Sequence, residues 1–226
     1  MTDDAKDGLD HFGPQLPAGA RSLYGPDEIR RVVDRLGRDL RKEYGQQEVT
    51  VVIALKGALV FAADLIRRLD MPVELRTVTA RSYHGDARRP GELDLGLADL
   101  GDLSGRHVLV VDDILDTGNT LSQLVAAMSE RGPASVKSAV MLDKPSRREV
   151  PVEADFVGLT IDDLFVVGYG LDFDGLYRNL PYIAALAPEA AEDGAADGAA
   201  QPDASSASMG DGRLTNTTQP SSEAGA

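Results

Sequence analysis

The stretch Val108-Leu-Val-Val-Asp-Asp-Ile-Leu-Asp-Thr-Gly-Asn-Thr120 decides how the chain is read. His107 to Val111 is a short, nearly continuous apolar run, β-branched at Val108, Val110 and Val111, which suits a strand covered on both faces. Asp112 and Asp113 follow at once. Burying an unpaired charge is expensive, so the chain is expected to emerge from the core there, at the strand's carboxyl end. Asp116-Thr-Gly-Asn-Thr120 then leads into Leu121, Leu124, Val125 and Met128 at helical spacing. A strand, a tight polar turn and a helix start make an anion cradle. The first N–H groups of the helix lack partners, and the helix dipole favours a negative ligand such as phosphate.

Working outward, the same pattern recurs. Val49 to Leu55 is a second apolar strand that passes through Lys56-Gly57-Ala58 into a helical run from Leu59 to Leu69. Before it, Pro26-Asp-Glu opens a helix in which Ile29, Val32, Val33, Leu36 and Leu40 share one face, ending near Gly45. Val73 to Thr79 alternates as a third strand. From Arg81 to about Gly105 the chain is long, polar and without helical periodicity, as in a functional flap or an irregular excursion rather than a core element. Gly132-Pro133 closes the helix after the opening stretch, and Ser135 to Leu142 is the next strand. The basic turn Lys144-Pro-Ser-Arg-Arg148 comes next, then short strands at Phe156–Thr160 and Leu164–Val167 and a last edge strand at Tyr182–Leu186. Alternating strands and helices predict an α/β fold with a mainly parallel sheet and its ligand site at the strands' carboxyl ends.

Composition sets the limits. The chain has 226 residues, 42% of them apolar, enough for one domain with an ordinary core. We expect a flexible lead over residues 1–20, a domain over 21–186 and a disordered acidic tail over 187–226. The tail is rich in Ala, Gly, Ser and Asp and has too little apolar surface to offset its ordering entropy. Cysteine is absent, which removes disulfides and thiolate metal sites and makes the cytoplasm the default location. The start of the chain resembles no signal peptide, and no window approaches a membrane span. The net charge of −14 speaks against a broad nucleic-acid surface, but the tail holds seven acids against Arg213 alone and so supplies −6 of it. A local basic pocket remains compatible with the rest.

Several side chains can carry chemistry. Asp112 and Asp113 can accept hydrogen bonds from ribose hydroxyls and hold Mg²⁺ directly or through water. Asp116 reads either as a helix cap or as a proton acceptor facing the ligand. Lys56-Gly57 suits a second anionic group, with Gly allowing backbone N–H groups to face it. Among Arg81, Lys144, Arg147, Arg148 and Arg178 some are simply solvated charges, and Lys144 stands out because it follows a strand at the ligand edge. Phe165 and Tyr169 read most simply as core, although an aromatic near Asp172 can stack on a flat base. The three histidines have no metal-ligand spacing.

Taken together, these residues resemble the type I phosphoribosyltransferases through the opening stretch. Leu55-Lys-Gly57, Ser82-Tyr83, Leu142-Asp-Lys-Pro-Ser-Arg-Arg-Glu-Val150 and Phe165-Val-Val-Gly-Tyr-Gly-Leu-Asp172 with Tyr177-Arg178 narrow the likeness to the bacterial hypoxanthine (guanine) phosphoribosyltransferases, over about Leu23 to Leu186. The resemblance implies that family's fold, a mainly parallel twisted sheet flanked by helices with a small hood built from the chain ends. It also implies a reaction of a purine base with phosphoribosyl pyrophosphate in the presence of Mg²⁺. Asp116, Thr117, Gly118, Asn119 and Thr120 would hold the 5′-phosphate, Asp112 and Asp113 the ribose hydroxyls and metal, and Asp172 a second Mg²⁺. Asp116 would be the general base at purine N7 and Lys144 the donor to the oxygen at C6, favouring 6-oxopurines over adenine. Phe165 would stack on the base, the backbone of Val166 would read its edge, and Arg178 with Lys56-Gly57 would bind pyrophosphate, with a non-proline cis peptide in that loop. Ser82-Tyr83 through about Leu103 resembles a flap that closes over the reacting centre. A homodimer or homotetramer follows from the resemblance, with no nucleic acid or membrane partner. Two positions depart from the family's pattern: Asp112 replaces the usual Glu, and Asn119 the Lys of some relatives. The competing readings are a xanthine-preferring enzyme and a nucleotide-sensing regulator on the same fold.

Overall fold

The computed structural model describes residue 16 and residues 19–82, 93–97 and 100–187. In chain order the elements are β1 (Arg21–Tyr24), α1 (Pro26–Tyr44), β2 (Val49–Leu55), α2 (Leu59–Ile66), β3 (Val73–Ser82), β4 (Leu93–Leu95), β5 (His107–Leu115), α3 (Asn119–Ser129), β6 (Ser135–Asp143), β7 (Phe156–Thr160), β8 (Val166–Val167) and β9 (Ile183–Ala185). The large sheet has the order β4-β3-β2-β5-β6-β7, and a second sheet has the order β1-β9-β8. In the large sheet every pairing is parallel except that of β4 with β3.

The central strands are apolar because both faces are covered. Val49 to Ala54 of β2 and Val108 to Val111 of β5 are buried throughout. On one face α1 and α2 pack Ile29, Leu36, Leu40, Phe61 and Leu65 against Val51, Leu109 and Met141. On the other, α3 packs Leu121, Leu124 and Met128 against Val52, Val108 and Val110. Helix α1 starts where the sequence directs it: Pro26 stands in its first turn with Asp27 and Glu28, and Glu28 Oε2 accepts from Gly25 N at 3.0 Å.

Register fixes what meets at the ligand edge. Leu115 of β5 pairs with Asp143 of β6, and Lys144 N donates to Leu115 O at 3.0 Å. Asp143 pairs in turn with Thr160 of β7, and Ile161 N donates to Asp143 O at 2.9 Å. Asp116, Lys144 and the Asp162-Asp163 turn therefore leave three neighbouring strands side by side.

Four expectations are corrected. Strand β5 does not end before the acid pair but runs on to Leu115, and Asp112 is buried at 7% exposure. The buried carboxylate accepts from Asp113 N at 3.0 Å. Burial, and after it the neighbouring charge of Asp113, pushes its pKa well up, so the pair avoids the full cost of two interior charges. The segment before Gly105 is not all excursion: β4 pairs with β3, and Leu100 and Leu103 are fully buried in the α3 layer. Arg76 anchors that return by donating to the carbonyls of Leu100 and, at 3.0 Å, Asp102. A flap extending to Leu103 is thereby excluded. Strand β9 is not an edge but the centre of the hood sheet, flanked by β1 and β8. Strand β1 itself escaped the reading, because four residues with two exposed carry no period to detect. Helix α2 ends at Ile66 rather than Leu69, where Arg68 N and Leu69 N turn to the carbonyls of Leu65 and Ile66. Leu16 and Ala20 pack on the hood with Leu180 and Leu186. The rest of the expected lead, Tyr83 with most of the expected flap, and residues 188–226 of the expected tail lie outside the described residues.

Candidate active site

A cavity of 250 Å³ opens at the carboxyl edge of β2 and β5, lined by Gly57, Asp112 and Asp113 and by Asp116, Thr117, Gly118 and Thr120 of the turn. Gly118 caps α3 at φ 91, a left-handed conformation that a side chain would strain, and a Cβ there would also press on Val150, Val152 and Arg148. The cap is thus Gly118 and not Asp116, whose carboxylate is left for other work. Thr117 O accepts from Glu149 N at 2.9 Å and Val150 N at 3.3 Å. Asn119 Nδ2 donates to Thr117 Oγ1 at 3.2 Å and Glu149 Oε2 at 3.1 Å. The turn is braced from outside, while the N-terminus of an eleven-residue helix points into the cavity.

Opposite the turn, the peptide bond Leu55–Lys56 is cis. Gly57 lies so close to Asp113 that a Cβ would overlap its carboxylate, so a side chain there would displace that acid. Burial raises the pKa of Asp113, against which the Asp112 hydrogen bond, backbone N–H groups and the charge of Arg178 act. Arg178 donates from Nη1 to Gly170 O at 2.7 Å and pairs through Nη2 with Asp172 Oδ1 at 2.6 Å. Asp172 Oδ2 accepts from Gly175 N at 2.8 Å. Lys56-Gly57, the acid pair, Asp172 and Arg178 thus form one wall.

The other wall carries Lys144, 6% exposed, with Nζ 3.8 Å from Asp116 Oδ2 and 4.0 Å from Asp163 Oδ1. Both separations are those of ion pairs and exceed hydrogen-bond distance, so neither carboxylate takes up a donor of the ammonium. Phe165 is 43% exposed, with its ring edge-to-face on Phe173 at 5.5 Å, so the core reading of this residue is corrected. Tyr169 is core, its hydroxyl donating to Asp64 Oδ2 at 2.9 Å. Val166 lies in β8, and Ser82 ends β3.

Sequence reasoning passed over Arg148, grouping it with solvated charges. Its guanidinium donates to the carbonyls of Leu115, at 3.0 Å, and Asp116, and pairs with the Asp143 carboxylate. One side chain therefore ties the ends of β5 and β6. Nothing in the run Lys-Pro-Ser-Arg-Arg distinguishes it from Arg147; only the strand register does.

The family model described as the phosphoribosyl transferase domain matches residues 22–174. The chain belongs to the phosphoribosyltransferase family. Within it, the chain is 44% identical over 167 residues to a hypoxanthine-guanine phosphoribosyltransferase of Streptococcus pneumoniae, covering 74% of this chain and 93% of that protein. It is 41% identical over 168 residues to the enzyme of the same name from Staphylococcus aureus, with the same coverage. Among solved phosphoribosyltransferases, a hypoxanthine-guanine enzyme of Bacillus anthracis superposes with a TM-score of 0.69 at 37% identity, covering 74% of this chain and 98% of its own. The hypoxanthine phosphoribosyltransferase of Trypanosoma cruzi, in complex with the product IMP, superposes at 0.71 and 35% identity, covering 78% and 99%.

Proposed function

We propose that the chain is a purine salvage transferase that joins hypoxanthine or guanine to phosphoribosyl pyrophosphate, giving IMP or GMP and pyrophosphate. The carrying observation is the placement of the buried Lys144 ammonium beside Asp116 at the mouth of a helix-capped anion turn. The turn Asp116–Thr120 binds the 5′-phosphate through its N–H groups, with Thr117 and Thr120 adding side-chain contacts and Asn119 bracing the turn from outside. Asp112 and Asp113 accept the ribose hydroxyls. Lys144 donates to the oxygen at C6, Phe165 stacks on the base, and the Val166 backbone meets its edge. Asp116 takes the N7 proton as the base nitrogen attacks C1′ and pyrophosphate departs. The developing negative charge leaves against Arg178 and the Lys56-Gly57 loop.

Adjacent carboxylates whose pKa values are raised by burial are a donor set suited to a hard divalent cation. Asp112 and Asp113 would hold one Mg²⁺ and Asp172 a second, and bound Mg²⁺ would supply positive charge for the pyrophosphate and ribose oxygens. Asp112 is one methylene shorter than the family's usual Glu, and it lines the cavity beside Asp113. The family resemblance favours a cytoplasmic homodimer or homotetramer, which light scattering of the full chain reads directly.

Hypoxanthine, phosphoribosyl pyrophosphate and Mg²⁺ incubated with the protein are expected to yield IMP by mass spectrometry, with chelator suppressing it. Absence of IMP under saturating substrates would contradict the reading.

A further inference from the structure

The purine end of the cleft carries two charges more than the proposed reaction uses. Asp116 and Lys144 are assigned to the base; Arg147 pairs with Asp116, and Asp163 with Lys144. Arg147 Nε lies 3.2 Å from Asp116 Oδ1 and 3.7 Å from Asp163 Oδ1. Lys144 Nζ lies 3.8 Å from Asp116 Oδ2 and 4.0 Å from Asp163 Oδ1. Among the described residues neither Arg147 nor Asp163 has an ion-pair partner outside this set. The four form a closed ring of alternating sign with a formal sum of zero.

The arrangement is built in, because Lys144 and Arg147 are the two ends of one 3-10 turn, joined by Arg147 N donating to Lys144 O at 3.1 Å. Asp163 approaches from the next strand exit, two residues before Phe165. Neighbouring charges are engaged elsewhere. Arg148 is matched by Asp143, and Glu149, whose field reaches Arg147, accepts from Asn119 on the phosphate side. Asp162 lies on the far side of its turn, in a separate 440 Å³ cavity with Arg21.

Resting on the function proposed above, we infer that Arg147 and Asp163 are specificity-determining residues. Arg147 adds a positive charge to the neutral Asp116–Lys144 pair and Asp163 restores zero, which favours neutral 6-oxopurines over anionic ones. With Arg147 alone beside Asp116 and Lys144, the site would be net positive and would draw in an anionic base. Asp163 cancels that pull. Xanthine separates the cases, being the more acidic 6-oxopurine and partly anionic near neutral pH, whereas hypoxanthine and guanine are neutral. Asp163 and Arg147 are about half exposed, so solvent and salt temper the effect.

The test compares the wild type with Asp163→Asn, Arg147→Gln and the double variant. The readout is the ratio of the xanthine inhibition constant to the hypoxanthine KM. Asp163→Asn is expected to lower that ratio about three- to tenfold, and Arg147→Gln to raise it by a similar factor. The double variant returns near the wild type, Asp163→Glu restores the wild-type ratio, and all differences shrink at high salt. Shifts in the same direction for both single variants overturn the inference, as does an unchanged ratio or a failure of xanthine to inhibit both the wild type and Asp163→Asn. Hypoxanthine turnover by the wild type is measured first. Its absence would sink the proposed function itself, so the two failures are told apart.

Discussion

The two walls of the cleft are held by different physics. The phosphate turn is fixed by backbone: a left-handed Gly118, a helix N-terminus, carbonyls gripped by Arg148, and Thr117 O accepting from two amides. The purine wall is fixed by side-chain charges, with Lys144 buried and the surrounding Asp116, Arg147 and Asp163 more than a third exposed. A backbone site holds a group common to every substrate of its kind and resists change. A side-chain site discriminates, and a single substitution retunes it.

The largest effect is expected where both walls share a residue. Asp116→Asn keeps the turn's carbonyl bonds but loses the proton acceptor, and kcat should fall roughly 10²- to 10⁴-fold with little change in KM for phosphoribosyl pyrophosphate. Unchanged kcat would move proton transfer elsewhere. Gly57→Ala forces a methyl into the Asp113 carboxylate, so steady-state kinetics should show kcat/KM for phosphoribosyl pyrophosphate lower by at least about tenfold. A normal value would mean that the loop shifts freely. Arg148→Ala leaves the carbonyls of Leu115 and Asp116 and the Asp143 carboxylate without their donor, costing about 2 to 3 kcal/mol in denaturant unfolding. A loss below about 0.5 kcal/mol would show that the tie is dispensable. Smallest of all, Glu149→Gln should change stability by less than about 0.5 kcal/mol, since its bond to Asn119 is exposed. Comparing the first two variants with the last two sharpens the contrast between functional geometry and support.

The same division explains what the sequence disclosed. Strand β5, the turn and α3 are contiguous, so apolar runs and a glycine were enough to read the anion cradle. Lys144 was legible from its place after a strand. Arg147, Arg148 and Asp163 were not, because their roles arise from β5–β6–β7 register, which no local pattern encodes. The burial of Asp112 was missed for a related reason. A carboxylate in a strand looks like an exit until its neighbour's amide and a raised pKa are seen to carry the cost. The hood strand β1 and the buried Leu100 and Leu103 sit beside stretches with no periodicity, and only tertiary packing assigns them.

The central claim is that Lys144 and Asp116 together hold a 6-oxopurine against the phosphate turn. The most direct measurement is the ratio of kcat/KM for hypoxanthine to that for adenine, in the wild type and in Lys144→Gln. A ratio strongly favouring hypoxanthine, reduced about 10- to 100-fold by the substitution, is predicted. A wild type that prefers adenine, or a ratio untouched by loss of the ammonium, would contradict the account.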